Sequence, residues 1–330
     1  MIIIENKAKE IEFVEKYVIL QSQKNEIYNM WVLLAVASAL CLGVYDIFKK
    51  LSLNGNNVLT VLFYNTLFGA LLMSPIIVQC IMNGHIGLGD TATGHFHILI
   101  KSVIVLSSWL FGYFGLKHLP LTIAGPINAT RPVMVLVGAM LIFGERLNLL
   151  QWGGVILGIA SLYLISRIGR KEGISIKHNR WLWLSFGAMI MGAISGLYDK
   201  YLLRQYDPLE VQAWYSFYQL LIMGGTIAII KKVKHDTTPF QWRWTIPGIA
   251  LFLTIADIAY FYSLSLDDSM ISVVSMIRRG SVIVSFLFGV IALHEKNVKM
   301  KIIDLSILLI GLVLLVLGSR QYSFSSVALW

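Results

Sequence analysis

Two cysteines, seven prolines and a charged fraction of 14% are what this 330-residue chain has little of. A soluble domain carries about 25% charged residues, so the shortage of charge excludes an ordinary soluble enzyme or binding module. Cys41 and Cys80 both fall in apolar stretches without metal-ligand spacing. They read as free thiols that serve as small hydrophobes, which excludes a disulfide scaffold and leaves no metal site to expect. No phosphate-binding loop, Cys/His cluster or nucleophile elbow is present, so the chain is not expected to be an enzyme or to carry a cofactor. His85, His95 and His97 share one connection, but their spacing matches no defined metal site.

What the chain has in excess is apolar residues, 57% of the total, with a mean hydropathy of +0.72. About 20 consecutive apolar residues suffice to cross the hydrocarbon core of a bilayer. Ten such runs are expected, near 30–48, 58–80, 98–116, 120–143, 149–167, 181–203, 210–231, 245–265, 268–293 and 302–319. Each must be helical, because lipid offers no partners to backbone polar groups. The fold expected is therefore an all-α membrane protein of ten transmembrane helices. Trp31, Trp152, Trp181, Trp183, Trp242 and Trp244 fall near run ends, where the membrane interface favours amphipathic rings. Residues 1–28 mix isoleucines with lysines and glutamates and lack the apolar core of a signal peptide. They read as an extension, and Met30 as an alternative start.

The runs repeat. Gly43-Val44-Tyr45-Asp46 returns as Gly196-Leu197-Tyr198-Asp199, and Phe63-Tyr64-Asn65 as Phe217-Tyr218-Gln219. Gly115-Leu116 matches Ser263-Leu264, Arg131 matches Arg279, and Glu145-Arg146 matches Glu295-Lys296, in the same order and at nearly one spacing. The chain thus divides into a five-helix unit over 29–167, a basic linker over 168–180, a second unit over 181–320 and a tail over 321–330. An odd number of spans per unit forces the two units to sit inverted in the membrane, the arrangement typical of secondary transporters. The net charge of +9 resides mostly in short connections, so it bears on membrane orientation rather than nucleic-acid binding. Lys and Arg concentrate in the connections after the odd-numbered runs. That bias places those connections in the cytoplasm and both termini outside.

Ten spans in two units, with the segment RPVMVLVGAMLIFGERLNLLQWGGVILGIASLYLI and its counterpart SVIVSFLFGVIALHEKN, resemble the drug/metabolite transporter superfamily in its EamA-like branch. The counterpart keeps the glutamate as Glu295 and carries His294 in place of the glycine. The resemblance implies a secondary carrier of small organic metabolites with a central cavity between the two units. It also implies both termini in the cytoplasm, opposite to the charge bias.

Ionisable groups deep in a span are costly and mark function by default. Arg131, Arg278 and Arg279 lie about mid-run, against one deep acid, Asp257. Asn128 and Ser275 precede Arg131 and Arg279 by about one turn, on shared faces. Pro126 and Pro132 flank Arg131 and interrupt the backbone ladder. These residues predict a cavity for an anionic or zwitterionic solute, gripped by the planar guanidinium fork. Tyr64, Asn65, Tyr218, Gln219 and Trp109 are candidate lining groups. Asp257 and Arg278 are candidates for ion coupling, or simply for a charge pair. Asp46 and Asp199 read as interfacial partners of Lys49, Lys50 and Lys200. Glu145 and Glu295 read as caps of the following helix or partners of Arg146 and Lys296. Gly154 and Gly158 form a small-residue packing face.

The function expected is an alternating-access permease of a bacterial inner membrane, with a small-molecule solute and membrane lipid as partners, working as monomer or homodimer. A non-transporting scaffold or sensor is the alternative; it needs neither deep arginines nor a polar cavity. A lipid-modifying membrane enzyme would need an interfacial cluster of histidines and acids.

Overall fold

The computed structural model describes residues 30–143, 147–171, 179–233, 239–266, 269, 271–295 and 297–327. The extension over 1–28 and the Gly144-Glu145-Arg146 step lie outside the described residues. The described residues form twelve α-helices: α1 Met30–Leu53, α2 Val58–Met82, α3 Ala92–His118, α4 Leu121–Ala129, α5 Arg131–Phe143 and α6 Leu149–Lys171. There follow α7 Arg180–Leu202, α8 Pro208–Val233, α9 Thr245–Ser265, α10 Ile271–Arg279, α11 Ser281–Ile291 and α12 Val298–Val327. A three-residue 3₁₀ turn, Leu88–Asp90, joins α2 to α3. Among the described residues, eight helical stretches are long and apolar enough to cross a membrane. The chain is a multi-pass membrane protein. Three helix starts carry side-chain caps: Asn57, Thr91 and Asn179 each accept a first-turn N–H, from Thr60, Gly94 and Trp181.

Two expected runs are broken in the middle. The run over 120–143 becomes α4 and α5, parted at Thr130. Pro126 contributes no N–H, and the Thr130 N–H turns back to the Pro126 and Ile127 carbonyls. The run over 268–293 becomes α10 and α11, parted at Gly280, with no proline involved. Arg131 opens α5 and Arg279 closes α10, so each break has an arginine beside it.

Helix pairing follows a pattern. α6 packs along α12 and α2 along α8; α2 meets α9 as α3 meets α8; α3 lies on α7. On α1, Ser38 donates to the Ala256 carbonyl of α9 at 2.6 Å, and Ser263 of α9 donates to the Trp31 carbonyl at 2.8 Å. Two lysines close helix ends alike. Lys50 donates to the Leu116 and Leu119 carbonyls at the end of α3, at 2.9 and 2.7 Å. Lys200 donates to the Leu264 and Ser269 carbonyls past the end of α9, at 3.1 and 2.9 Å. These contacts satisfy carbonyls that a helix end leaves open.

Several expectations change. α3 begins at Ala92 rather than 98, because Thr91 caps it, so His95 and His97 are helical and not in a connection. Some of the basic residues that enter the charge bias, Lys49, Lys101 and Lys301, are buried within helices and do not lie in connections. Trp31 is buried at 2% exposure against other helices, while Trp244 is 85% exposed. Glu295 does not cap the helix that follows it. Its carboxylate accepts the Leu121 and Thr122 N–H groups at 2.8 and 3.0 Å, capping α4 in the other half. The N-terminal dipole of α4 rewards a carboxylate there regardless of which segment supplies it.

Gly154 and Gly158 pack within the chain. A Cβ on Gly154 would lie 2.7 Å from the Gly311 carbonyl of α12, and one on Gly158 would lie 2.6 Å from Val133 of α5. A Gly154→Leu substitution overpacks this crossing and should destabilise the fold by about 1–3 kcal/mol. A lowered melting temperature of the detergent-solubilised protein checks it, with Gly69→Leu, where a Cβ meets nothing within 4 Å, as the comparison.

Candidate functional site

The central cavity lies among α1, α3, α4, α5, α7, α9, α10 and α11, with Tyr215 of α8 at one edge and an empty volume of about 1080 Å³. Helix geometry explains the lining. α1 turns Tyr45, Asp46 and Lys49 to one face, three and four residues apart. The two broken runs end a helix inside the protein and deliver Arg131 and Arg279 there. Arg278, Ser275 and Asn128 line the same space, as do Asp257 and Trp109. Seven sequence-derived candidates therefore meet in one cavity.

The charges of that cavity sort into pairs. Lys49 donates to Asp46 at 2.7 Å. Lys101 of α3 pairs with Asp199 of α7, and Arg278 pairs with Asp257 of α9. Aromatic faces support the cations. Lys49 lies 4.2 Å from the Tyr45 ring centre, Lys101 lies 4.3 Å from that of Phe261, and Arg278 lies 4.2 Å from that of Tyr260. Two lining cations remain. Among the described residues, neither Arg131 nor Arg279 has a carboxylate within ion-pairing distance. Arg131 donates to the Asn128 side-chain oxygen at 3.1 Å, and the Nε groups of both arginines are buried without a partner. Gly192 of α7 makes room for Arg131, because a Cβ there would overlap the guanidinium.

The other candidates divide. Asn65 and Gln219 line a smaller cavity of about 260 Å³ beside the first, and Trp109, Tyr215 and Asp257 border both. The Asn65 amide, the Gln219 Nε2 and the Gln212 Oε1 have no partner there. Tyr64 and Tyr218 point elsewhere. Tyr64 stacks on Phe240, with ring centres 5.1 Å apart, and Tyr218 shares a hydrogen bond of 3.0 Å with His95 Nδ1. Consecutive residues on a helix diverge by about 100°, and here Tyr64 and Tyr218 turn away from the space that Asn65 and Gln219 line.

Sequence reasoning missed the Lys101–Asp199 pair. With the run expected to start at 98, Lys101 falls beside its end and counts among the connection charges. The Thr91 cap adds nearly two turns and carries it inward, to 2% exposure. Asp199 accordingly pairs with Lys101 and not with Lys200, which is occupied at the end of α9.

Removing one member of such a buried pair leaves an uncompensated charge, at a cost of about 3–5 kcal/mol; removing both is nearly neutral. Asp199→Leu should therefore destabilise the protein strongly, and Lys101→Met combined with Asp199→Leu should recover most of the loss. Thermal unfolding of the single and double variants in detergent checks this.

The comparisons with known proteins agree with this architecture. The model of the EamA-like transporter family matches twice, over residues 29–167 and 179–317. A protein of Archaeoglobus fulgidus named an uncharacterized transporter is 24% identical over 301 residues, covering 88% of this chain and 99% of its own. A WAT1-related chloroplastic protein of Arabidopsis thaliana is 23% identical over 212 residues, covering 61% of this chain and 49% of its own. A solved crystal structure superposes with a TM-score of 0.61 over 88% of this chain and 98% of its own, at 15% identity, which speaks to the fold alone. With two family matches spanning nearly all of the described helices, this chain is a membrane transporter and belongs to the EamA-like transporter family.

Proposed function

We propose that this protein is a secondary transporter that moves a small anionic or zwitterionic organic metabolite by alternating access, with Arg131 and Arg279 as the substrate clamp. The observation that carries the reading is the cavity's charge. Three carboxylates face five cations, and pairing leaves the two symmetry-matched arginines over. A buried guanidinium without a counter-charge is expensive. A carboxylate or phosphate entering the cavity relieves that cost and can be gripped in two places. Asn128 and Ser275 supply neutral hydrogen-bonding groups beside each arginine.

The mechanism requires two five-helix units in inverted orientation, ten spans in all, with α4–α5 and α10–α11 each serving as one interrupted span. The double family match supports it. So do the two helix breaks beside Arg131 and Arg279, and the lysine contacts of Lys50 and Lys200 at the sequence-matched Leu116 and Leu264. Broken helices at the midplane are where secondary transporters hold their substrates. α2, α6, α8 and α12, which line little of the cavity, would form the outer frame. Transport would draw on an ion gradient or on exchange, because the chain carries no nucleotide-binding loop. In this reading the protein sits in a bacterial inner membrane. A polar cavity lined by two arginines without counter-charges favours transport over a scaffold, which gains nothing from them.

Reconstitution into proteoliposomes, with uptake of candidate organic anions followed by isotope, tests the reading. Hydrogen bonds to charged groups contribute about 1.5–3 kcal/mol, so Arg131→Ala and Arg279→Ala should each weaken half-saturation by roughly 10–150-fold. Arg131→Lys should retain part of the affinity, because it keeps the charge and loses the fork. Undiminished uptake in both alanine variants would remove the arginines from the site.

A further inference from the structure

Away from the central cavity, three metal-ligating side chains from separate stretches of the chain meet at the end of α2. We propose that Cys80, His85 and Glu210 form a binding site for a divalent ion of the zinc class. Cys80 lies in the last turn of α2, His85 in the connection that follows, and Glu210 in the first turn of α8. Their ligand atoms all lie within 4.8 Å of one another. Both of the other donors face one carboxylate oxygen. Cys80 Sγ donates to Glu210 Oε1 at 3.8 Å, and His85 Nδ1 lies 4.0 Å from the same atom. A tetrahedral zinc ion, with bonds of about 2.0–2.3 Å, sets its ligand atoms roughly 3.3–3.8 Å apart. A contraction of at most about 1.5 Å converts the triangle into three coordination positions.

The surroundings hold the donors in place. The second carboxylate oxygen of Glu210 accepts the Leu88 N–H at 2.7 Å, which orients the first toward the thiol and the imidazole. Such outer contacts are what fix metal ligands in position. The connection is itself tied down. Asp90 accepts the Ile86 and Gly87 N–H groups, and Trp214 of α8 donates to the Ile86 carbonyl at 3.0 Å. Gly84 and Gly87 adopt φ of +81° and +85°, which lets the chain double back over the end of α2. A Cβ at Gly87 would press to 3.3 Å from the Glu210 carboxylate. The Cys80 side chain is buried, whereas that of His85 is 38% exposed, so the site has a solvent route and an open fourth position for water.

The donor set selects the ion. A thiolate, an imidazole and one carboxylate suit a borderline-soft ion and not magnesium or calcium, which take oxygen alone. Thiolate and carboxylate together neutralise a divalent charge, so the loaded site is uncharged near the membrane boundary. The bound ion would join the end of α2 to the start of α8, helices from the two different units of the family match. Nothing in this site depends on the identity of the transported solute or on transport at all.

The test is zinc binding by the full-length protein in detergent, after removal of adventitious metal, in competition with a chromophoric chelator. One equivalent should bind and raise the melting temperature. Cys80→Ser and His85→Ala should each weaken binding by at least roughly 100-fold and abolish the thermal shift. Cys41→Ser, remote from the site, should bind as the parent does, and excess magnesium should not compete. Absence of binding by the parent protein would overturn the proposal and leave only a thiol–carboxylate hydrogen bond. Equal binding by His85→Ala would overturn it as well. Because the His85 side chain is partly exposed, that variant decides the matter even if Cys80→Ser fails to fold.

Discussion

A guanidinium or ammonium group in the interior of a membrane protein has no water to hydrate it, and the centre of this molecule is arranged around that constraint. An isolated charge in a low-dielectric interior is so unfavourable that it must find a counter-charge, a hydrogen-bonding shell or an aqueous cavity. Lys49, Lys101 and Arg278 find carboxylates, and each also faces an aromatic ring. Arg131 and Arg279 find a cavity instead. The same rule governs the helix ends. Lys50 and Lys200 settle on exposed carbonyls, and Glu295 settles on the open N–H groups of α4. All but the Lys49–Asp46 pair bring a polar group to a partner from a different helix, so packing and charge satisfaction cannot be separated.

The interrupted helices belong to the same logic. An unbroken span would present its arginine on a continuous helical surface, with its backbone fully satisfied. Parting the span at Thr130 or Gly280 ends one helix and begins another inside the protein. Each break has its arginine beside it and facing the cavity. The two breaks use different chemistry: one has prolines on both sides, the other a glycine and none. Position matters here more than residue type, as it does for a glutamate that caps a helix of the opposite half.

Two close approaches show how little slack the arrangement has. Gly192 leaves the space that the Arg131 guanidinium occupies, and Gly154 lets α6 and α12 touch through their backbones. Without a hydrophobic driving force between helices in lipid, such small-residue contacts carry much of the packing. At the end of α2 the same closeness brings a thiol, an imidazole and a carboxylate together.

By itself the sequence determined that this is a helical membrane protein, that its two halves are related, and that Arg131 and Arg279 are deep polar groups. Those features are local. Apolar run length reports the bilayer directly, an intramembrane arginine is conspicuous against aliphatic neighbours, and the Thr91 cap was there to be read four residues ahead of His95. Tertiary structure alone decided which charge meets which. The Lys101–Asp199 pair, the Glu295 cap on α4, and the meeting of Cys80 and His85 with Glu210 join segments far apart in the chain, and the Arg278–Asp257 pair joins two successive helices. The physical reason is that a side chain's partner is set by helix rotation and crossing. A shift of two residues in where a helix starts turns a side chain by about 200°, and no run of hydrophobic letters encodes that angle.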